Sequence, residues 1–246
     1  MTLHGTVSIA RALSKLGHSS RAEGERLVAA GRVRVDGVLV RDANRRVVPE
    51  TAVIEVDGAR IEKIGPVYVA LNKPRGLVTT RRDPQDRGTV YDCLAGSDLP
   101  FVGPVGRLDK ASEGLLLFSN DPRWAARITD ALTGPCKTYH VQIDTRPDAA
   151  LLSRLVSGIE IDGEPLTAES AQLLRAGEKN SWLEIVLTEG RNRHIRRLLE
   201  AHDIAVLRLL RVAIGGLELG NLAKGQWRWL DSGDLGRLGV GMPDTG

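Results

Sequence analysis

Three segments of this 246-residue chain carry side chains that could do chemistry. The densest is Gly103-Pro-Val-Gly-Arg-Leu-Asp-Lys-Ala-Ser-Glu-Gly-Leu-Leu-Leu-Phe118, where Asp109 sits in a glycine-bounded loop that feeds into an apolar strand. Such an aspartate either bonds its own backbone in a turn or, held by the strand behind it, serves as acid, base or nucleophile. The second is Glu189-Gly-Arg-Asn-Arg-His-Ile-Arg-Arg-Leu-Leu199, with four arginines opening a helix. Helical spacing groups Arg193, Arg196 and Arg197 on one side and Ile195, Leu198 and Leu199 on the other. This is either a solvated basic face or a positive surface placed where a strand ends. The third is Lys137-Thr-Tyr-His-Val141, a strand. Its Tyr139 either packs in the core or offers an aromatic face to a splayed nucleobase. Strand alternation turns His140 the other way.

These segments need elements to hold them. Apolar residues at Ile9, Leu13 and Leu16 predict a short helix that ends at Gly17, and Ser20 with Glu23 is a capping box for a second that closes near Gly31. Asp36-Gly37 between Val33, Val35, Val38 and Val40 predicts a hairpin, and Asp57-Gly58 follows another apolar alternation. A linker is expected over 61–66. Strands are expected at 67–71, 77–80, 115–118, 138–143, 182–187, 206–214 and 227–230, with a turn-rich stretch over 81–105. Helices are expected at 121–130, 149–157 and 192–201. The fold class is α+β. A small αα-β domain over 7–62 precedes a larger mixed, mainly antiparallel sheet with flanking helices over 66–232, and 233–246 is a loose tail.

Composition narrows the function classes. At 42% hydrophobic and 26% charged, a chain this long can bury a core without disulfide or metal staples. Cys93 and Cys136 stand apart from any CxxC pair, which argues against structural zinc and for a reducing, cytoplasmic setting. His4, Arg11 and Lys15 interrupt the N-terminal apolar residues, and no run approaches 18 apolar residues, so no secretory signal or membrane span is expected. Of 34 basic and 31 acidic residues, 11 and 8 precede Val67, leaving 23 of each beyond. The excess of +3 therefore lies in the first quarter, as either a solvated surface or a module addressed to a polyanion.

Residues 7–60 resemble the alpha-L RNA-binding domain of a ribosomal small-subunit protein and of many RNA-modifying enzymes. Ser20-Arg21 opens the second helix, and Gly31-Arg32-Val33-x-Val35-Asp36-Gly37 forms the turn. The resemblance implies that Arg21, Arg26, Arg32 and Arg34, with Arg11 and Lys15 nearby, meet RNA phosphates. Residues 67–231 resemble the pseudouridine synthases of the ribosomal small-subunit type, through "LNKPRGLVTT", "VGRLDKASEGLLLFSNDP", "KTYHVQI", "LTEGRNRHIRRLLEA" and "LRLLRVAIGGLELGNLAKGQWRWL" in that order.

The resemblance implies that Asp109 is the essential catalytic residue and that Tyr139 stacks on the target uracil. It also implies that Arg196, with Arg191 as the second choice, pairs with the catalytic carboxylate. Leu198 then packs beside the base, and Arg107, Arg191, Arg193 and Lys73 contact RNA. His194 departs from the Gln or Lys that relatives more often carry. The implied reaction breaks N1–C1′ of a uridine, turns the uracil and joins C5 to C1′. It exchanges no electrons, phosphate or external group, so neither cofactor nor metal is expected. The implied partner is structured ribosomal RNA with a flipped uridine, met by a monomer. Two competing expectations are an inactive, rRNA-binding ribosome-assembly factor on the same fold and an RNA-cleaving hydrolase. The hydrolase would want paired acid and base groups or a metal cluster, and the sequence offers neither clearly.

Overall fold

The computed structural model describes residues 5–241. It divides into two compact units. One runs to Tyr68 and takes in residues 97–103 and 118–121; the other comprises residues 69–96, 104–117 and the chain from Pro122.

The first unit holds β1 (Val7–Ser8), α1 (Ile9–Lys15), α2 (Arg21–Ala29), β2 (Val33–Val35), β3 (Val38–Leu39), β4 (Arg46–Val47), β5 (Ile54–Val56) and β6 (Ala59–Arg60). Each helix starts at the serine that can cap it. Ser8 accepts the Arg11 N–H at 3.4 Å, and Ser20 accepts that of Glu23 at 3.1 Å. Ile9, Leu13, Leu27 and Val28 close over Val33, Val35, Ile54 and Val56. A side chain at Gly24 would place its Cβ 3.1 Å from the Cα of Ala10, so the close approach of α1 and α2 favours glycine there. Asp36 and Gly37 both take positive φ (51° and 79°), the twist a two-residue hairpin needs. The strands run in the order β3-β2-β5-β6.

The rest of the chain, mostly the second unit, carries β7 (Tyr68–Lys73), a 3-10 turn at Val90–Leu94, β8 (Gly103–Val105), β9 (Glu113–Ser119), α3 (Pro122–Thr129), β10 (Lys137–Ile143) and α4 (Ala149–Ser157). It continues through β11 (Ile159–Ile161), β12 (Glu164–Leu166), β13 (Ser170–Ala176), β14 (Ser181–Leu187), α5 (His194–Glu200), β15 (Val206–Ile214), β16 (Leu217–Glu218), β17 (Trp227–Trp229) and α6 (Ser232–Arg237). Among the described residues nine of these strands build one sheet, β13-β14-β10-β15-β9-β7-β17, with β16 on β15 and β8 on β9, while β11 and β12 pair separately. β10 is antiparallel to both neighbours, and β15 runs parallel to β9. That crossing is tight: a Cβ on Gly114 (φ 100°) would lie 2.2 Å from the Arg211 carbonyl oxygen. β7 and β9 are buried along their whole length, whereas β10 and β14 alternate buried and half-buried residues. No helix among the described residues is long and apolar enough to cross a membrane.

Three expectations differ. The strand predicted at 77–80 is only a bridge between Val78 and Thr89, because Thr79 bonds the Leu108 backbone instead. The hairpin β11–β12 and edge strand β13 are additional, and β13 is exposed at nearly every residue, which removes the alternation that would reveal it. The chain does not loosen at Gly233. Asp231 and Asp234 form a capping box for α6, and Leu235 and Leu238 are buried. Residues 242–246 of the expected tail lie outside the described residues.

Candidate active site

The loop that presents Asp109 is held from four directions. Lys73 ends β7 fully buried, and its Nζ donates to the carbonyls of Pro74 (3.1 Å), Asp109 (3.1 Å) and Ser112 (2.8 Å). Thr79 Oγ1 donates to the Leu108 carbonyl at 2.7 Å and accepts the Leu108 N–H at 3.3 Å. The Gly76 N–H donates to the Lys110 carbonyl at 2.8 Å. Arg196 reaches over from α5, its Nη2 donating to the Ala111 carbonyl at 3.3 Å and its Nη1 to that of Val206 at 3.3 Å. These bonds all go to backbone. Among the described residues, nothing hydrogen-bonds or ion-pairs with the Asp109 carboxylate, which is left half-buried and facing a cavity.

That cavity, about 530 Å³, lies within the second unit and is within the range of small-ligand sites. Asp109, Arg107 and Ser112 line it from the loop, Tyr139 and Lys137 from β10, and Leu209, Arg211 and Ile214 from β15. The segment 189–195 closes it, contributing Arg191, Arg193, His194 and Ile195. Tyr139 is 8% exposed and stands beside Arg211 in the β10–β15 register, while His140 faces away and pairs with Glu184 at 3.4 Å. Burial pushes the His194 imidazole down, which keeps it neutral near pH 7. Arg193 takes a left-handed conformation (φ 50°) just ahead of α5. Every other non-glycine residue with positive φ among those described is an aspartate, so this arginine stores strain at the cavity mouth.

Several expected roles change. Lys73, expected against RNA, is inaccessible and instead ties β7 to the aspartate loop. Burial pulls its ammonium down to about 8, with Asp109 and Glu113 opposing. Arg196 forms no ion pair with Asp109 and does not line the cavity; it positions Ala111. Burial and Arg193 lower its basicity, and Asp109 acts in the opposite sense. Arg191, the second choice for that pairing, is taken by Glu189 at 2.8 Å and Glu164 at 3.3 Å. Leu198 is fully buried off the cavity, and Ile195 supplies the apolar wall. In the first unit Arg21 is exposed and has no ion-pair partner among the described residues, whereas Arg26 bonds Glu23, Arg32 pairs with Asp57, and Arg34 donates to the Gly37 carbonyl at 2.9 Å. Among the described residues no three His, Cys, Asp or Glu side chains converge as metal ligands.

The chain is similar to known proteins. Residues 67–201 match the family described as RNA pseudouridylate synthase, and residues 9–53 match the S4 domain. That defines the class: an RNA-modifying enzyme carrying an RNA-binding module. A protein of Aquifex aeolicus named "Uncharacterized RNA pseudouridine synthase" is 38% identical over 234 residues, covering 94% of this chain and 93% of the relative. A similarly named protein of Rickettsia conorii is 36% identical, covering 91% and 96%. A solved structure titled "Crystal structure of pseudouridylate synthase" superposes with a TM-score of 0.63 at 26% identity, covering 94% of this chain and 99% of that one. The chain belongs to the pseudouridine synthase family, of the ribosomal small-subunit type with an N-terminal S4 domain, and it isomerises uridine in RNA.

Proposed function

We propose that the chain makes pseudouridine at a specific site in ribosomal RNA, with Asp109 as its catalytic residue and no cofactor. The observation that carries this is the Asp109 carboxylate. It is presented to the cavity by a loop whose backbone is bonded at Leu108, Asp109, Lys110, Ala111 and Ser112, while its own oxygens have no partner among the described residues. A carboxylate so held can attack C1′, add to the ring or accept a sugar proton without first breaking a bond of its own. Tyr139, buried on the cavity wall, offers its ring to the flipped uracil, and stacking partly offsets the few kcal/mol of unstacking. The exposed Arg107 and Arg193 at the mouth suit the neighbouring phosphates, and the S4 domain suits structured RNA. The enzyme works as a cytoplasmic monomer in this reading.

The test is a pseudouridine map of ribosomal RNA from cells with and without the gene. A site that vanishes on deletion and returns with the wild-type gene is expected. An unchanged map, with a pseudouridine lost from another RNA class, overturns the ribosomal assignment.

A further inference from the structure

Two cations are buried in the cavity and, among the described residues, no carboxylate is bonded to either. Arg211 is 6% exposed; its Nε donates to the Leu115 carbonyl at 2.8 Å, and its buried Nη2 has no partner among the described residues. Lys137 is 8% exposed, and among the described residues its Nζ has only the Thr188 carbonyl, at 3.4 Å. Both line the cavity with Tyr139, and Arg211 stands opposite Tyr139 across the β10–β15 ladder. The Asp109 carboxylate faces the same cavity but, among the described residues, bonds neither cation, and the other carboxylates nearby are engaged. Glu189 holds Arg191, and one Asp130 oxygen is engaged by the backbone N–H groups of Leu132 and Thr133 and by the Thr133 hydroxyl. Burial lowers the Lys137 ammonium and the charge of Arg211 lowers it further, so each cation makes the other costlier. Burying two like charges side by side is expensive unless a negative group joins them.

We propose that Arg211, seconded by Lys137, binds the carbonyl oxygens of the flipped uracil and stabilises the base when it is detached as an anion. The inference rests on the reading of Asp109 and Tyr139 given above. When N1–C1′ breaks, its electron pair stays on the base and the charge spreads over O2 and O4. C1′ is satisfied either by a bond from an Asp109 oxygen or by a double bond as a sugar proton passes to that carboxylate. C5 then joins C1′ as the Asp109 oxygen leaves it with its electron pair or, on the second route, as the carboxyl returns its proton to the sugar; the C5 proton leaves and N1 gains one, so atoms and electrons balance with no outside reagent. A fixed donor toward O2 or O4 gains most when the base is anionic, as an oxyanion hole does. Arg211 is then a catalytic residue in the same cavity as Asp109, and the strand that carries it is set by Gly114.

Two measurements test this. The first is single-turnover pseudouridine formation on total RNA from a strain lacking the gene. Arg211→Gln is expected to slow the rate constant about 100-fold, with RNA affinity within about threefold of wild type. Lys137→Met should slow it about tenfold, and Arg211→Lys should fall between wild type and Arg211→Gln. A folded Arg211→Gln enzyme within about threefold of wild-type rate overturns the proposal. The second measurement needs no turnover: binding of barbiturate, an anionic pyrimidine at neutral pH, against neutral uracil. Wild type is expected to prefer barbiturate by about tenfold or more, and Arg211→Gln should lose the preference. An equal response to both ligands, or a preference that survives in Arg211→Gln, overturns it. Wild-type inactivity on all RNA would refute the reading of the reaction, and the barbiturate measurement would still decide the charge claim.

Discussion

Lys73 Nζ donates to the main-chain carbonyl of Asp109 at 3.1 Å, so the residue that fixes the candidate catalytic aspartate never touches its carboxylate. Three carbonyls share that ammonium, and it is fully buried.

Lys73→Met should therefore slow isomerisation about 10–100-fold with little change in RNA affinity, and destabilise the protein by about 2–3 kcal/mol by orphaning buried acceptors. The pH profile gives a finer check. Lys73 deprotonates at about 8 in the fold, and the neutral amine has two protons for three carbonyls. Turnover should fall above about pH 8 in wild type, and that limb should be missing in Lys73→Met. A limb that persists in the variant would belong to another group.

Arg196 poses the choice between charge and shape. Its guanidinium spans the carbonyls of Ala111 and Val206, a bridge an ammonium is too compact to make. Arg196→Lys should be nearly as slow as Arg196→Gln, within about threefold, with kcat affected more than KM. Recovery of near-wild-type kcat by the lysine would show that a positive charge near Asp109 is what matters.

Much of this was legible in the chain. Ser8, Ser20, Asp36-Gly37 and Asp57-Gly58 act locally, through caps and turns, so the first unit follows from short stretches of sequence. The Asp109 loop was legible from its bounding glycines and the apolar strand behind it, and Tyr139 from its own strand, while their roles rest on the proposed reading. What escaped depends on contacts between distant segments. Lys73 is an exposed cation by type, and only the fold of residues 108–112 around it buries it. Arg196 was expected on the carboxylate, but the path of the loop puts Ala111 in its reach. Arg211 did leave a signal: it shares strand parity with the buried Leu209 and Ala213, an odd place for an arginine with no task.

Glu113 gives the stability prediction. It is 2% exposed, and Arg208 and Lys224, each at 2.7 Å, hold its carboxyl down to about 2. The unfolded chain, near the ordinary 4.5, binds the proton more tightly, so this stabilisation is present above about pH 4.5 and lost as pH falls toward 2. Glu113→Gln should cost about 3 kcal/mol at pH 7, measured by urea unfolding, with the gap to wild type closing below pH 4.5. A gap independent of pH would assign the loss to packing.

In the first unit, Asp57 occupies Arg32 in a surface ion pair. If Arg32 meets RNA phosphate, Asp57→Asn should raise RNA affinity and steepen its log–log salt dependence by somewhat under one unit. Arg21→Gln should flatten it by a similar amount. Unchanged salt slopes in both variants would remove this face from the interface.

The most direct measurement is single-turnover conversion of uridine to pseudouridine by purified Asp109→Asn, beside wild type, on RNA from a strain lacking the gene. The substitution keeps the size of the side chain and the backbone bonds of the loop but removes the anionic oxygen. Wild type should form pseudouridine, while Asp109→Asn, folded and binding RNA with near-normal affinity, should form none above background. Conversion by Asp109→Asn at a rate near that of wild type would contradict the account.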